Sequence, residues 1–260
     1  MDACKILLTC LSVLFVTGCD MREYPEPDTI SQRELLIYCG MTMIRPVMEI
    51  SAILEEEAGC NVKITYGGSG HIARSVKVNQ VGDIFFPGRE SYIKKLEEFG
   101  SITKTSVIGY NVAGFFVQPG NPYQISSDVN SLLNPTLNVV IGSPDAGSIG
   151  KETERILRKA DIFENVVDNS LFMTTDSKGL VQAIKEKEAD LVINWRAVKY
   201  LPGNHDAMEF VPLPNDVVIK QSLVMAKLKY SDYPDLAEQF IALSTSERGK
   251  NIFKKYGFRD

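Results

Sequence analysis

Between residues 35 and 99, short apolar runs alternate with stretches whose apolar residues recur at helical spacing, and this alternation limits the fold more than any other feature of the chain. Residues 35–39 read as a strand; Met43, Val47, Ile50 and Leu54 then fall on one helical face, which Ala58-Gly59 closes. A strand at 62–66, a helix at 70–78, an apolar run at 83–86 and a charged helix at 90–99 follow. A β-α-β-α-β-α series predicts a parallel sheet covered by helices, because each apolar strand needs cover on both faces.

The pattern changes at 107–117, a long run with an interior glycine that ends in the turn Gln118-Pro119-Gly120-Asn121-Pro122. A strand of that length can pass from one lobe to another. A second α/β series follows, with strands at 137–141 and 191–194 and helices at 152–159 and 180–186. A second strand-like stretch at 217–227 leads to helices at 233–244 and 247–256. The expected fold is α/β with two lobes, each a mostly parallel sheet flanked by helices, joined by two crossover strands. Lobe 1 comprises 33–109 plus 222–260 and lobe 2 comprises 110–221; a single doubly wound domain is the alternative.

The first residues follow another logic. Lys5 precedes an apolar run at 6–16 that is too short for a membrane span, and Val16-Thr17-Gly18-Cys19 places small residues before a cysteine. Residues 1–18 therefore read as a signal peptide. The motif resembles a bacterial lipobox, which implies cleavage before Cys19 and lipidation of its thiol; a plain signal peptide or a buried N-terminal helix is the alternative. Residues 20–32 are polar, carry two prolines and suit a flexible tether. The expected location is outside the cytoplasm, anchored to a bacterial membrane by lipid on Cys19 and facing periplasm or cell exterior. Of the remaining cysteines, Cys39 ends one strand and Cys60 precedes the next parallel one, which puts them at opposite edges of the sheet and out of disulfide reach. A formal net charge of −5 offers no basic field for nucleic acid or anionic lipid.

Each α/β series contains two turns rich in small hydrogen-bonding residues ahead of a helix. They are Gly40-Met41-Thr42-Met43 and Gly67-Gly68-Ser69-Gly70 in lobe 1, and residues 142–150 and 174–179 in lobe 2. A helix start presents unpaired N–H groups and the positive end of the helix dipole, so it holds an anion without a cationic side chain. One such turn alone is an ordinary cap. Four at strand ends fit a cleft ringed by donors, since ligands of open α/β sheets sit beyond the carboxyl ends of the strands.

The order and spacing of Ile37-Tyr38-Cys39-Gly40-Met41-Thr42, of residues 66–74, of Gly82-Asp83-Ile84-Phe85-Phe86, of Gly142-Ser143-Pro144-Asp145 and of the tail 252–258 make the chain similar to the periplasmic molybdate/tungstate-binding proteins of ABC importers, a type II periplasmic-binding fold. The resemblance implies an oxyanion held by Thr42, Ser69, the amide of Ile149 with its neighbour Ser148, Ser177 and Trp195. It implies delivery to a membrane permease by a monomer that meets the membrane only through its lipid, with no cofactor and no protein-bound metal beyond the oxyanion itself. Trp195 stands where the family carries a tyrosine, and Gly70 where a hydroxyl is often found. Met41, with Cys39 and Gly40, replaces small alanines; it either narrows the pocket, touches a softer ligand or packs in the core. Sulfate, chromate or phosphate is the alternative ligand, and a sensor lipoprotein without a transport role the alternative function.

His71 follows the Ser69 turn and either lines the cleft or lies on the surface. Adjacency along a turn is poor geometry for a Ser69/His71 nucleophile and base, so no enzyme is expected. Neither His71 nor His205 has a partner at metal-ligand spacing. Arg45, Arg74, Arg89 and Arg196 are candidates for a positive rim, with Arg89 read as solvated.

Overall fold

The computed structural model describes residues 33–258; Cys19 and the expected signal and tether lie outside them. The first strand, β1 (Glu34–Gly40), buries Leu35, Ile37 and Cys39 in one apolar cluster and Tyr38 in another on the opposite face. β3 (Ile84–Phe86) does the same with Ile84 and Phe86 against Phe85. Both strands lack a solvent face, which is why their sequences read as unbroken apolar runs.

A 3-10 turn at Met41–Met43 leads into α1 (Ile44–Ala58), which ends on left-handed Gly59 at φ 57°, where an L side chain is disfavoured. β2 (Asn61–Gly67), α2 (Ser69–Asn79), α3 (Glu90–Glu98) and β4 (Ile102–Asn111) complete the first series. The second contains β5 (Ala113–Val117), β6 (Val139–Gly142), α4 (Ser148–Lys159), α5 (Phe163–Asn169), β7 (Ser170–Thr174), α6 (Ser177–Lys185), β8 (Leu191–Trp195) and β9 (Glu209–Val211). β10 (Gln221–Leu228), α7 (Pro234–Thr245) and α8 (Glu247–Lys255) return to the first, where Leu236, Phe240, Phe253 and Phe258 join the core under β1.

Two five-stranded sheets result, ordered β2-β1-β3-β10-β4 and β7-β6-β8-β5-β9. In each, three parallel strands form the half that ends at the four turns, and antiparallel strands complete it.

The run expected as one strand at 107–117 is two. β4 belongs to the first sheet and β5 to the second, and the chain leaves one ladder before it enters the other. The Val112 N–H at the break is taken by Asn111 Oδ1 at 3.0 Å, and the same oxygen accepts from Ala197 N at 3.4 Å. The expected strand at 217–227 starts only at Gln221. Ahead of it the Pro214 carbonyl accepts from the N–H groups of Val217 and Val218, a turn that seats Val218 in the second lobe's core. α5, β7 and β9 have no counterpart among the expected elements. β7 is an edge strand whose Leu171, Phe172 and Met173 are exposed, so its apolar residues carry no burial pattern. Cys39 pairs with Tyr66, whereas Cys60 precedes Asn61, the partner of Glu34; the two free thiols sit at opposite ends of the β1–β2 ladder.

Candidate functional site

The carboxyl ends of β1, β2, β6 and β7 deliver four helix starts to one small cavity between the sheets. Met41, Thr42, Gly67, Gly68 and Ser69 line it from the first lobe, and Gly147, Ser148, Ile149, Asp176 and Ser177 from the second. It measures about 10 Å³, the room of roughly one water-sized sphere, so this is a closed arrangement.

The caps explain what the cavity offers. Gly40, Gly68 and Gly147 occupy the N-cap positions of the 3-10 turn, α2 and α4, and none of these ends has a side-chain cap. Serine or aspartate there would consume the first amides; glycine leaves them for a ligand. The start of α6 differs, because Asp176 accepts from Lys178 N at 2.8 Å and Gly179 N at 3.2 Å. Its carboxylate is thereby held by two backbone amides of α6, and the next residue, Ser177, faces the cavity.

Ser69 and Ser148 are placed alike, each as the first residue of its helix. Ser69 Oγ accepts from Gly88 N at 3.0 Å, and Ser148 Oγ accepts from Trp195 Nε1 at 3.2 Å. A hydroxyl that accepts one hydrogen bond still has its proton to give, so both serines can donate. Thr42 Oγ1 donates to Met43 Sδ at 3.1 Å, a weak acceptor.

The lobes touch through main chain. Gly70 N donates to Ala146 O at 3.0 Å. A Cβ on Gly68 would lie 2.6 Å from the carbonyls of Ala146 and Thr175, and one on Gly88 would lie 2.3 Å from Ser148 Oγ.

Three expected positions move. Trp195 is 1% exposed and does not line the cavity; its indole N–H is spent on Ser148, which it orients from behind. Gly70 uses its N–H to join the lobes rather than to face the cavity. His71 is exposed, because it lies two residues beyond Ser69 and a helix turns about 100° per residue, which carries it to the far side of α2. Thr42, Ser69, Ser148, Ile149, Ser177 and Met41 all reach the cavity wall. Gly88 was not singled out from sequence, whereas Gly147 and Asp176 entered only as members of the turns at 142–150 and 174–179. The Pro87-Gly88 pair after β3 was a legible turn signal for the first of them.

Arg89, expected in solvent, reaches across the cleft. Its side chain is 15% exposed and pairs with the wholly buried Glu152, one helical turn beyond Ser148. Near this pair, burial pushes the Tyr92 phenol up to about 12, against a smaller lowering by Arg89. Among the described residues no group of three or more His, Cys, Asp or Glu is placed to hold a metal ion.

Two α/β lobes that close four donor-bearing helix starts on a shared cavity define a binding protein of the periplasmic type. The chain belongs to the family of bacterial extracellular solute-binding proteins, whose sequence pattern matches residues 35–259. It is 23% identical over 236 residues to a molybdate-binding protein of Mycobacterium tuberculosis, covering 90% of this chain and 87% of that one. The periplasmic molybdate-binding protein of Azotobacter vinelandii superposes with a TM-score of 0.75 at 15% identity, over 86% of this chain and 98% of that chain. The sulfate-binding protein of M. tuberculosis superposes with a TM-score of 0.75 at 17% identity, over 88% and 87%. No helix among the described residues is long and apolar enough to cross a membrane.

Proposed function

We propose that this protein binds a tetrahedral oxyanion, molybdate or tungstate first, between its lobes and delivers it to the permease of an ABC importer. The observation that carries the reading is the matched pair Ser69 and Ser148, each lining the cavity, each held by an accepted hydrogen bond from its own lobe and each with a proton available to a ligand. Together with the glycine-capped ends of α2 and α4 they supply several donors to one anion, with the Asp176 carboxylate in the same wall turned to the amides of its own helix. A micromolar site needs about 8 kcal/mol, and hydrogen bonds to a charged partner contribute roughly 1.5–3 kcal/mol each before ordering costs. Six or seven such bonds are enough, and they need no cation.

Closure proceeds about the two crossings, at 111–113 and 212–220, and converts occupancy into a shape that a permease can distinguish. The chain works outside the cytoplasm, held by lipid on Cys19. Relatives that bind molybdate support the choice of ion, and the sulfate-binding neighbour makes sulfate the second candidate. Differential scanning fluorimetry against molybdate, tungstate, chromate, sulfate and phosphate tests the reading. A rise in melting temperature with molybdate or tungstate is expected; no rise with any of the five sinks it.

A further inference from the structure

Thr42 and Met43 are neighbours in the 3-10 turn between β1 and α1. Thr42, 3% exposed, lines the oxyanion cavity, and the wholly buried Met43 belongs to the core cluster of Leu35, Ile37, Cys39 and Val47. We propose that Met43 sets the specificity of the site: by taking the Thr42 proton it leaves Thr42 Oγ1 as an acceptor, so the protein takes oxyanions that carry a proton, such as hydrogenphosphate and hydrogenarsenate, as well as fully deprotonated ones. The inference rests on the oxyanion reading of the cavity.

The hydroxyls of the wall are not equivalent. Ser69 Oγ accepts from Gly88 N and Ser148 Oγ accepts from Trp195 Nε1, so each has its proton to give. Thr42 is the opposite case, because its Oγ1 donates to Met43 Sδ at 3.1 Å and a thioether has no proton to return. A hydroxyl has one proton and two lone pairs, so what Thr42 has left for a ligand is a lone pair. The Asp176 carboxylate, on the same wall, has Oδ1 engaged by the N–H groups of Lys178 and Gly179.

Sulfur is also a weak acceptor, so Thr42 gives up this bond at small cost and turns its proton to an anion that brings none. One side chain thereby serves both kinds of anion, with every proton matched to a lone pair. Without the sulfur, the Thr42 proton and the proton of the ligand would compete for one buried contact, and the one left unmatched is costly. Gly40 leaves space for this arrangement, since a Cβ there would lie 2.7 Å from Met43 Cε.

Isothermal titration near neutral pH tests the proposal by comparing phosphate with monofluorophosphate, an anion of nearly the same size in which fluorine replaces the hydroxyl. Phosphate is expected to bind about tenfold more tightly to the wild-type protein. Met43→Leu keeps the apolar volume and removes the acceptor, and it is expected to erase that preference while sulfate and molybdate still bind. The wild-type comparison needs no variant, so it decides the matter even where Met43→Leu folds poorly. Equal affinity of the wild-type protein for the two phosphates, or binding of sulfate and molybdate without phosphate, overturns the proposal and leaves the oxyanion site standing. A preference that survives Met43→Leu places the acceptor elsewhere, with Asp176 next in line, and likewise overturns it. If phosphate, sulfate and molybdate all fail to bind, the oxyanion reading itself falls and takes the inference with it.

Discussion

Arg89 Nη2, at the start of α3, stands 3.6 Å from Glu152 Oε2 in α4, and this ion pair joins the two lobes one helical turn from Ser148. Glu152 is wholly buried and keeps a second partner in its own lobe, Arg155, at 2.6 Å. Glu152 thus has one ion-pair partner within its own lobe and one from the opposite lobe, and under the closure proposed above only the second depends on the lobes meeting.

Arg89→Met is therefore expected to weaken ligand binding about tenfold, which corresponds to about 1.4 kcal/mol, while the melting temperature of the ligand-free protein changes little. Titration calorimetry with the best oxyanion and thermal unfolding without it separate the two effects. A loss of stability without ligand, equal to the loss of affinity, would show that the pair supports the fold rather than closure.

Gly68→Ala makes a sharper test of closure. Gly68 has φ −61° and ψ 133°, which alanine adopts without strain, so the lobe itself should fold normally. The added methyl would sit 2.6 Å from two carbonyl oxygens of the opposite lobe. We expect a loss of oxyanion affinity of more than tenfold with an unchanged melting temperature. Small-angle scattering should show that ligand no longer compacts the protein.

Trp195→Phe removes the N–H that donates to Ser148 Oγ and keeps an aromatic ring, smaller than the indole, at this buried position, so affinity is compared with the melting temperature of the ligand-free variant. Ser148 then regains freedom to rotate and accept. A three- to tenfold weakening is expected, smaller than the effect of Ser148→Ala, and the double variant should cost no more than Ser148→Ala alone. Additive losses would mean that Trp195 acts through something other than Ser148.

Tyr92 sets an alkaline limit. Its hydroxyl is buried without a hydrogen-bond partner, and burial pushes its pKa from about 10 up to about 12. The unfolded phenol ionises first as pH rises. Stability is therefore complete below about pH 10 and falls between 10 and 12, by roughly 1.4 kcal/mol per pH unit at most. Tyr92→Phe should flatten that part of the profile of melting temperature against pH and cost little at pH 7, since no hydrogen bond is lost. An unchanged alkaline slope would show that another group governs it.

How much of this was legible depends on how local each signal is. The stop at Gly59, the two-faced burial of β1 and the turns at Thr42, Ser69, Ser148 and Ser177 rest on neighbours along the chain, and they were readable from residue type and spacing. β7 was not, because its apolar side chains stay exposed and follow no core period. Arg89 was misread as solvated for a comparable reason. Its partner lies 63 positions away, on an element whose approach no local pattern announces.

The amino-acid sequence by itself determined the strand and helix alternation and the placing of glycine and hydroxyl residues at helix starts, since periodicity and capping act over a few residues. Only the tertiary structure decided that Trp195 stands behind Ser148, that His71 turns outward and that Gly68 meets Ala146 and Thr175. Those outcomes depend on how two separately folded sheets come together, and contacts across such a gap are set by the shape and packing of whole lobes rather than by any short stretch of chain.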